Sequence, residues 1–172
     1  MDSLLRPPLP MPPEAAPSGP ALRPEPVVLL CRARGRLWAL PAELVVETMR
    51  PLPVVPLPAA PPFVLGVARI RGAAVPVVDL GVLLAAPGAS RVTRFVTLRL
   101  AKRGVALAVE ELVGVRRVDS ASLGALPPLL QGASEQALAA VGTLDAELLL
   151  LLEAGRLVPD TLWAALEAGG AA

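Results

Sequence analysis

The chain has 172 residues, 54% of them hydrophobic, and a formal net charge of +1 from 16 basic and 15 acidic side chains. That balance gives no general electrostatic drive toward nucleic acid. Histidine and tyrosine are absent, and the aromatics are two tryptophans and two phenylalanines. The composition therefore argues against histidine-based acid–base catalysis, imidazole metal sites and base-stacking platforms.

Residues 1 to 26 are rich in proline. Pro7-Pro8, Pro12-Pro13, Pro24 and Pro26 oppose helix and favour extended polyproline geometry. A disordered spacer tail is expected, in preference to a P-x-x-P ligand. Asp2 and the prolines stand where a secretory signal needs a charged start and an apolar block. No uninterrupted apolar run approaches the ~20 residues of a membrane helix. A single cysteine, Cys31, forms no internal disulfide. A cytoplasmic protein with no direct membrane insertion is expected. Cys31 lies in an apolar run and reads as a small buried strand residue.

Val27–Ala33 and Arg36–Leu40 read as strands of a hairpin turning at Arg34-Gly35. Pro41 suits the first position of a short helix over Ala42–Val46, with Glu43 in its first turn. Thr48–Val55 reads as an edge or irregular strand, because Pro51 and Pro53 interrupt it. Phe63–Ile70 and Ala73–Val78 form a second hairpin, closed at Arg71-Gly72, where glycine takes a positive φ at no steric cost. Asp79 ends that strand as a helix cap for Leu80–Leu84. Phe95–Leu100 and Val105–Val109 follow, with a turn at Lys102-Arg103-Gly104. Glu110–Val113 forms a short helix or bend, Val115–Val118 a strand and Asp119–Leu123 one helical turn. Residues 127–134 form a loop. Leu138–Leu144 and Glu147–Leu152 form a hairpin with Asp145-Ala146 at its tip. A helix starts over 154–158, and another opens at Pro159-Asp160-Thr161 and runs to about Glu167, with Leu162, Trp163 and Leu166 as an apolar stripe.

The order of elements recurs. The run from Arg34 corresponds to that from Lys102, and the run from Gly66 to that from Ala140. Asp79 then maps on Glu153 and Arg71 on Asp145. An internal duplication follows. Each half has about five short strands, enough to curl into a small barrel, and two barrels would share one apolar core. The equivalent hairpin tips carry opposite charges, which packing alone does not require. They are candidate contact surfaces.

On physical grounds alone Arg71 reads as a solvated turn residue in preference to a contact residue. Glu47 reads equally as a surface charge at a helix end and as a contact residue. Glu110-Glu111 is a solvated pair in preference to a catalytic one, since no histidine or metal-ligand set accompanies it. Gly66, Gly72 and Gly104 serve the backbone, and no phosphate-binding loop pattern exists.

The segment P-x-x-P-x-F-V-x-G-V-x-x-I-R-G from Pro58 to Gly72, followed by V-P-V-V-D-L from Val75 to Leu80, resembles the CheW-like family of chemotaxis coupling proteins. The resemblance spans Val27 to Val158. It implies a mainly β fold of two small five-stranded SH3-like barrels sharing a core, with short helices and a C-terminal helix. Residues 27–168 would form the domain, and 169–172 a disordered end. It further implies a protein without enzymatic activity and without a cofactor. Such an adaptor couples the cytoplasmic helical tip of chemoreceptors to the regulatory domain of a chemotaxis-type histidine kinase. It is a monomer in isolation and an array member in the cell. The protein-binding residues expected are Arg71, with Gly72 in the same turn, Glu47 and Arg69. Arg69 stands where the family usually has asparagine. A small-barrel nucleic-acid module is the alternative reading, and it would need a basic, aromatic face.

Overall fold

The computed structural model describes residues 25–125, 138–153, 158 and 160–169. In chain order the strands are β1 (Val27–Ala33), β2 (Arg36–Pro41), β3 (Val45–Met49), β4 (Val54–Val55), β5 (Val64–Ile70) and β6 (Ala73–Asp79). Helix α1 (Leu80–Leu83) divides these from β7 (Arg94–Leu100), β8 (Arg103–Val109), β9 (Glu111–Arg117), β10 (Leu123–Gly124), β11 (Leu138–Leu144) and β12 (Glu147–Leu152). Helix α2 (Asp160–Gly169) follows. The expected tail through residue 24, the loop over 127–134, the helical start at 154–157 and the end over 170–172 lie outside the described residues.

Most expected elements are present, and the departures have local causes. The segment after Pro41 is a single 3-10 turn over Ala42–Leu44 instead of a helix to Val46. The next strand begins at Val45 and breaks between Met49 and Val54, where Pro51 and Pro53 have no N–H to donate. Glu111–Val113 joins β9 instead of forming a helix or bend. Gly169 closes α2 instead of starting a disordered end. Asp79 caps α1 as expected, its Oδ1 accepting from the Val82 N–H at 3.0 Å.

The strands form two six-stranded sheets, ordered β10-β11-β12-β2-β1-β9 and β3-β7-β8-β6-β5-β4. These are the two small SH3-like units, mainly β, with a two-residue strand (β10 or β4) as the sixth member at the edge of each. Exchange of the two halves converts one order into the other, so the duplication is visible in the topology. The division is not half by half, however. Each sheet takes four strands from one half and the leading hairpin of the other, joined along a parallel seam at β12–β2 or β6–β8.

The apolar runs in the leading hairpins follow from this exchange. Their strands are buried on both faces, so they read as nearly continuous hydrophobic sequence. Leu29, Cys31, Trp38 and Leu40 face a shared core with Val96, Leu98, Val105 and Leu107. The alternate residues Val28, Leu30, Leu37 and Ala39 face the interior of one sheet, and Phe95, Ala106 and Ala108 that of the other. Val158 and Leu162 of the C-terminal segment join the shared core. Cys31 is wholly buried there, and desolvation pushes its thiol pKa up to about 12; it is a packing residue.

The tight turns fix the internal register. Ala33 pairs with Arg36 around Arg34–Gly35, and Leu100 with Arg103 around Ala101–Lys102. Arg34 is therefore the twin of Ala101. The sequence match of Arg34 with Lys102 is one residue out, and a one-residue slip exchanges the two faces of a strand. Ile70 pairs with Ala73 and Leu144 with Glu147, so the match of Arg71 with Asp145 holds.

Candidate functional site

The β5–β6 turn has φ of +48° at Arg71 and +83° at Gly72. Positive φ at both central residues is the tight hairpin turn whose twist suits the flanking strands. Gly72 takes this geometry freely, and Arg71 accepts the strain of the left-handed region. The turn is rigid and carries the Arg71 guanidinium outward.

Glu47 sits on β3, at the far side of the strand order from β5. The structure nevertheless brings the two together. Arg71 donates from Nε to Oε1 and from Nη2 to Oε2 of Glu47, each at 2.7 Å. This two-pronged pair fixes orientation as well as charge. It spans the mouth of the curled sheet, with the β7–β8 hairpin beneath. The Arg71 side chain is 79% exposed and that of Glu47 only 22%. The hydrogen bond from Arg71 holds the Glu47 carboxyl below its ordinary range, against the opposing effect of desolvation.

Thr97, which the sequence reading missed, sets the backbone of Glu47. The β3–β7 register shifts between Val45 and Glu47. There the buried Thr97 hydroxyl accepts from the Glu47 N–H and donates to its C=O, both at 3.2 Å. A bulge would otherwise leave ladder groups unpaired. The threonine repairs it and aims Glu47 across the mouth.

The other two expected residues divide. Gly72 is in the site as turn geometry. Arg69 is exposed on β5, opposite Ala74, and takes no part in the Arg71–Glu47 pair.

Below the pair lies an open cleft of about 600 Å³. Val46, Ile70 and Val75 supply apolar lining, and Arg99, Lys102 and Arg103 line the side formed by the β7–β8 tip. Arg103 is committed elsewhere: its guanidinium bonds to Glu167 and lies 5.1 Å from the Trp163 ring centroid of α2. The described residues hold no cluster of three or more His, Cys, Asp or Glu side chains that could bind a metal. No described helix is long and apolar enough to cross a membrane. The arrangement is a rigid, charged and apolar surface suited to contact with another protein.

Two sheets of this topology define the class as a duplicated, interlocked SH3-like β protein. The sequence matches the CheW-like domain family over residues 27–161. The chain therefore belongs to the CheW-like family, whose members are chemotaxis scaffolds and adaptors. Among solved structures it is similar in fold to the scaffolding protein TtCheW from Thermoanaerobacter tengcongensis. The TM-score is 0.66 at 20% identity, over 76% of this chain and 90% of that one. No curated protein sequence matches.

Proposed function

We propose that this protein is a non-catalytic coupling adaptor that joins the cytoplasmic helical tip of chemoreceptors to the regulatory domain of a chemotaxis-type histidine kinase. It would act in the cytoplasm, as a monomer when isolated and as an array member in the cell. Family membership supports the adaptor role. The single observation that carries the site is the Arg71–Glu47 pair, a strained, exposed turn locked to a strand from the opposite edge of the sheet. Such a pair contributes little to stability at the surface. Its value is a fixed pattern of charge beside an apolar cleft, which confers register and selectivity on a partner. Gly72 keeps the turn tight, and Arg69 extends the basic surface along β5.

The test is a pull-down from the native cell with the full chain as bait. Recovery of a chemoreceptor together with a histidine kinase is expected. Recovery of neither, at a bait level that retains the folded protein, contradicts the adaptor reading.

A further inference from the structure

The duplication supplies an internal control for the cleft. Arg32 on β1 and Arg99 on β7 are twins, each immediately before the residue that closes its tight turn. Arg32 is satisfied within the chain. It donates from Nη1 and Nη2 to Glu147, the latter at 2.7 Å, and its Nε lies 3.9 Å from Glu111. Glu147 is the first residue of β12, and its twin is Ala73, the first residue of β6. The register of β9 on β1 and of β3 on β7 makes Leu44 the counterpart of Glu111. Arg99 therefore lacks both carboxylates that its twin has.

No other group fills the gap. Arg99 is exposed and has no hydrogen-bond or ion-pair partner among the described residues. The one carboxylate among the residues lining the cleft, Glu47, is held at both oxygens by Arg71. Lys102 adds a second cation without a partner among the described residues, and Ala73 itself lines the cleft, leaving open the space that a carboxylate would take.

We infer that the cleft receives a carboxylate from a partner protein, carried beside an aliphatic side chain, in the place over Ala73 that Glu147 holds in the other sheet. The carboxylate pairs with Arg99 and Lys102, and the aliphatic group rests against Val46, Ile70 and Val75. Charge complementarity favours an acid here, and the apolar lining favours a protein over a phosphate backbone. This deepens the adaptor reading by naming the chemistry that a coupling partner presents at the Arg71 mouth, and it rests on that reading for the partner's identity.

The chemistry is tested on the isotope-labelled full chain by nuclear magnetic resonance, with the peptide acetyl-Leu-Glu-Leu-amide as probe. Saturable shifts are expected at the Arg99 Nε–H and at the amides of Ala73 and Val75. The Leu-Gln-Leu analogue should bind about fivefold more weakly, the equivalent of one exposed ion pair. Ala73→Glu supplies the missing carboxylate in cis and should abolish the shifts. Arg99→Gln should do the same, and serves if the first variant does not fold. Absence of saturable shifts, equal binding of the glutamine peptide, or equal shifts with inorganic phosphate would overturn the inference. The adaptor reading is scored separately. If the wild-type bait recovers neither receptor nor kinase, that reading fails while the peptide result stands. If A73E recovers both as well as wild type does, the cleft is not part of the coupling surface and the inference is overturned.

Discussion

The mouths of the two sheets are built from equivalent positions and closed in different ways. In one, Arg71 at the hairpin tip reaches across to Glu47 on an edge strand. In the other, the tip residue is Asp145, and the ion pair runs between Arg32 and Glu147 two strands apart. The first pair bridges the opening and leaves beneath it a cleft in which Arg99 and Lys102 have no partner among the described residues. The second neutralises its arginine over the sheet itself. Duplication supplied one scaffold twice. A few substitutions at its tips then made one mouth self-satisfied and the other receptive.

Separation of the halves breaks the comparison most severely. Each sheet borrows the leading hairpin of the other half, and the shared core takes Trp38 and Leu40 from one half and Val105 and Leu107 from the other. Each large apolar side chain so buried contributes ~1.5–3 kcal/mol. Residues 25–90 expressed alone should show no cooperative thermal transition by circular dichroism. A cooperative transition in that fragment would show that the first half closes on itself.

Thr97→Val removes the hydroxyl that serves both backbone groups of Glu47 without changing the buried shape. Loss of these bonds to a part-buried backbone should cost about 1–2 kcal/mol in urea unfolding. It should also loosen Glu47 from Arg71, read as faster exchange of the Arg71 Nε–H. A Thr97→Val variant as stable as wild type, with unchanged exchange, would remove Thr97 from the account.

Much of this was legible in the sequence. The four hairpins follow from alternating apolar runs with tight turns, and Asp79 from its place before Leu80. The opposite signs of Arg71 and Asp145 were visible once the repeat was laid out. The Arg32–Arg99 comparison was not, because the match of Arg34 with Lys102 set Arg32 against Leu100, so the change from Glu147 to Ala73 that the second match displays had no twin arginine beside it. Turn length would have corrected it, since both leading hairpins close on two-residue loops. The exchange of hairpins between halves was also hidden. Hydrophobic patterning shows that a strand is buried on both faces, but not which sheet it joins.

Smaller effects sharpen the contrast between the tips. Asp145 and Ala146 have φ of +50° and +64°, so Ala146 occupies a left-handed position that Gly72 occupies freely in the other turn. Ala146→Gly should stabilise the protein by ~0.5–1 kcal/mol, since the strain relieved exceeds the added chain entropy. The reading is an upward shift in Tm.

The acid response should be smaller still. The hydrogen bond from Arg71 lowers the Glu47 carboxyl from its ordinary value of 4.5, and that from Arg32 lowers Glu147. A depressed carboxylate stabilises the fold above its unfolded value and ceases to do so as pH falls through its folded value. The urea midpoint should therefore decline below about pH 4.5 more steeply in wild type than in the Glu47→Gln, Glu147→Gln double variant. Parallel curves would show that neither pair is held in solution.

The most direct measurement is receptor-dependent kinase activation by Arg71→Glu, with circular dichroism recorded on the same preparation. Arg71 is exposed and its pairing with Glu47 adds little to stability, so the variant should keep the wild-type spectrum while activation falls by about tenfold or more, the loss of one interfacial charged contact. Full activation by the folded variant would contradict the assignment of this turn as the coupling surface.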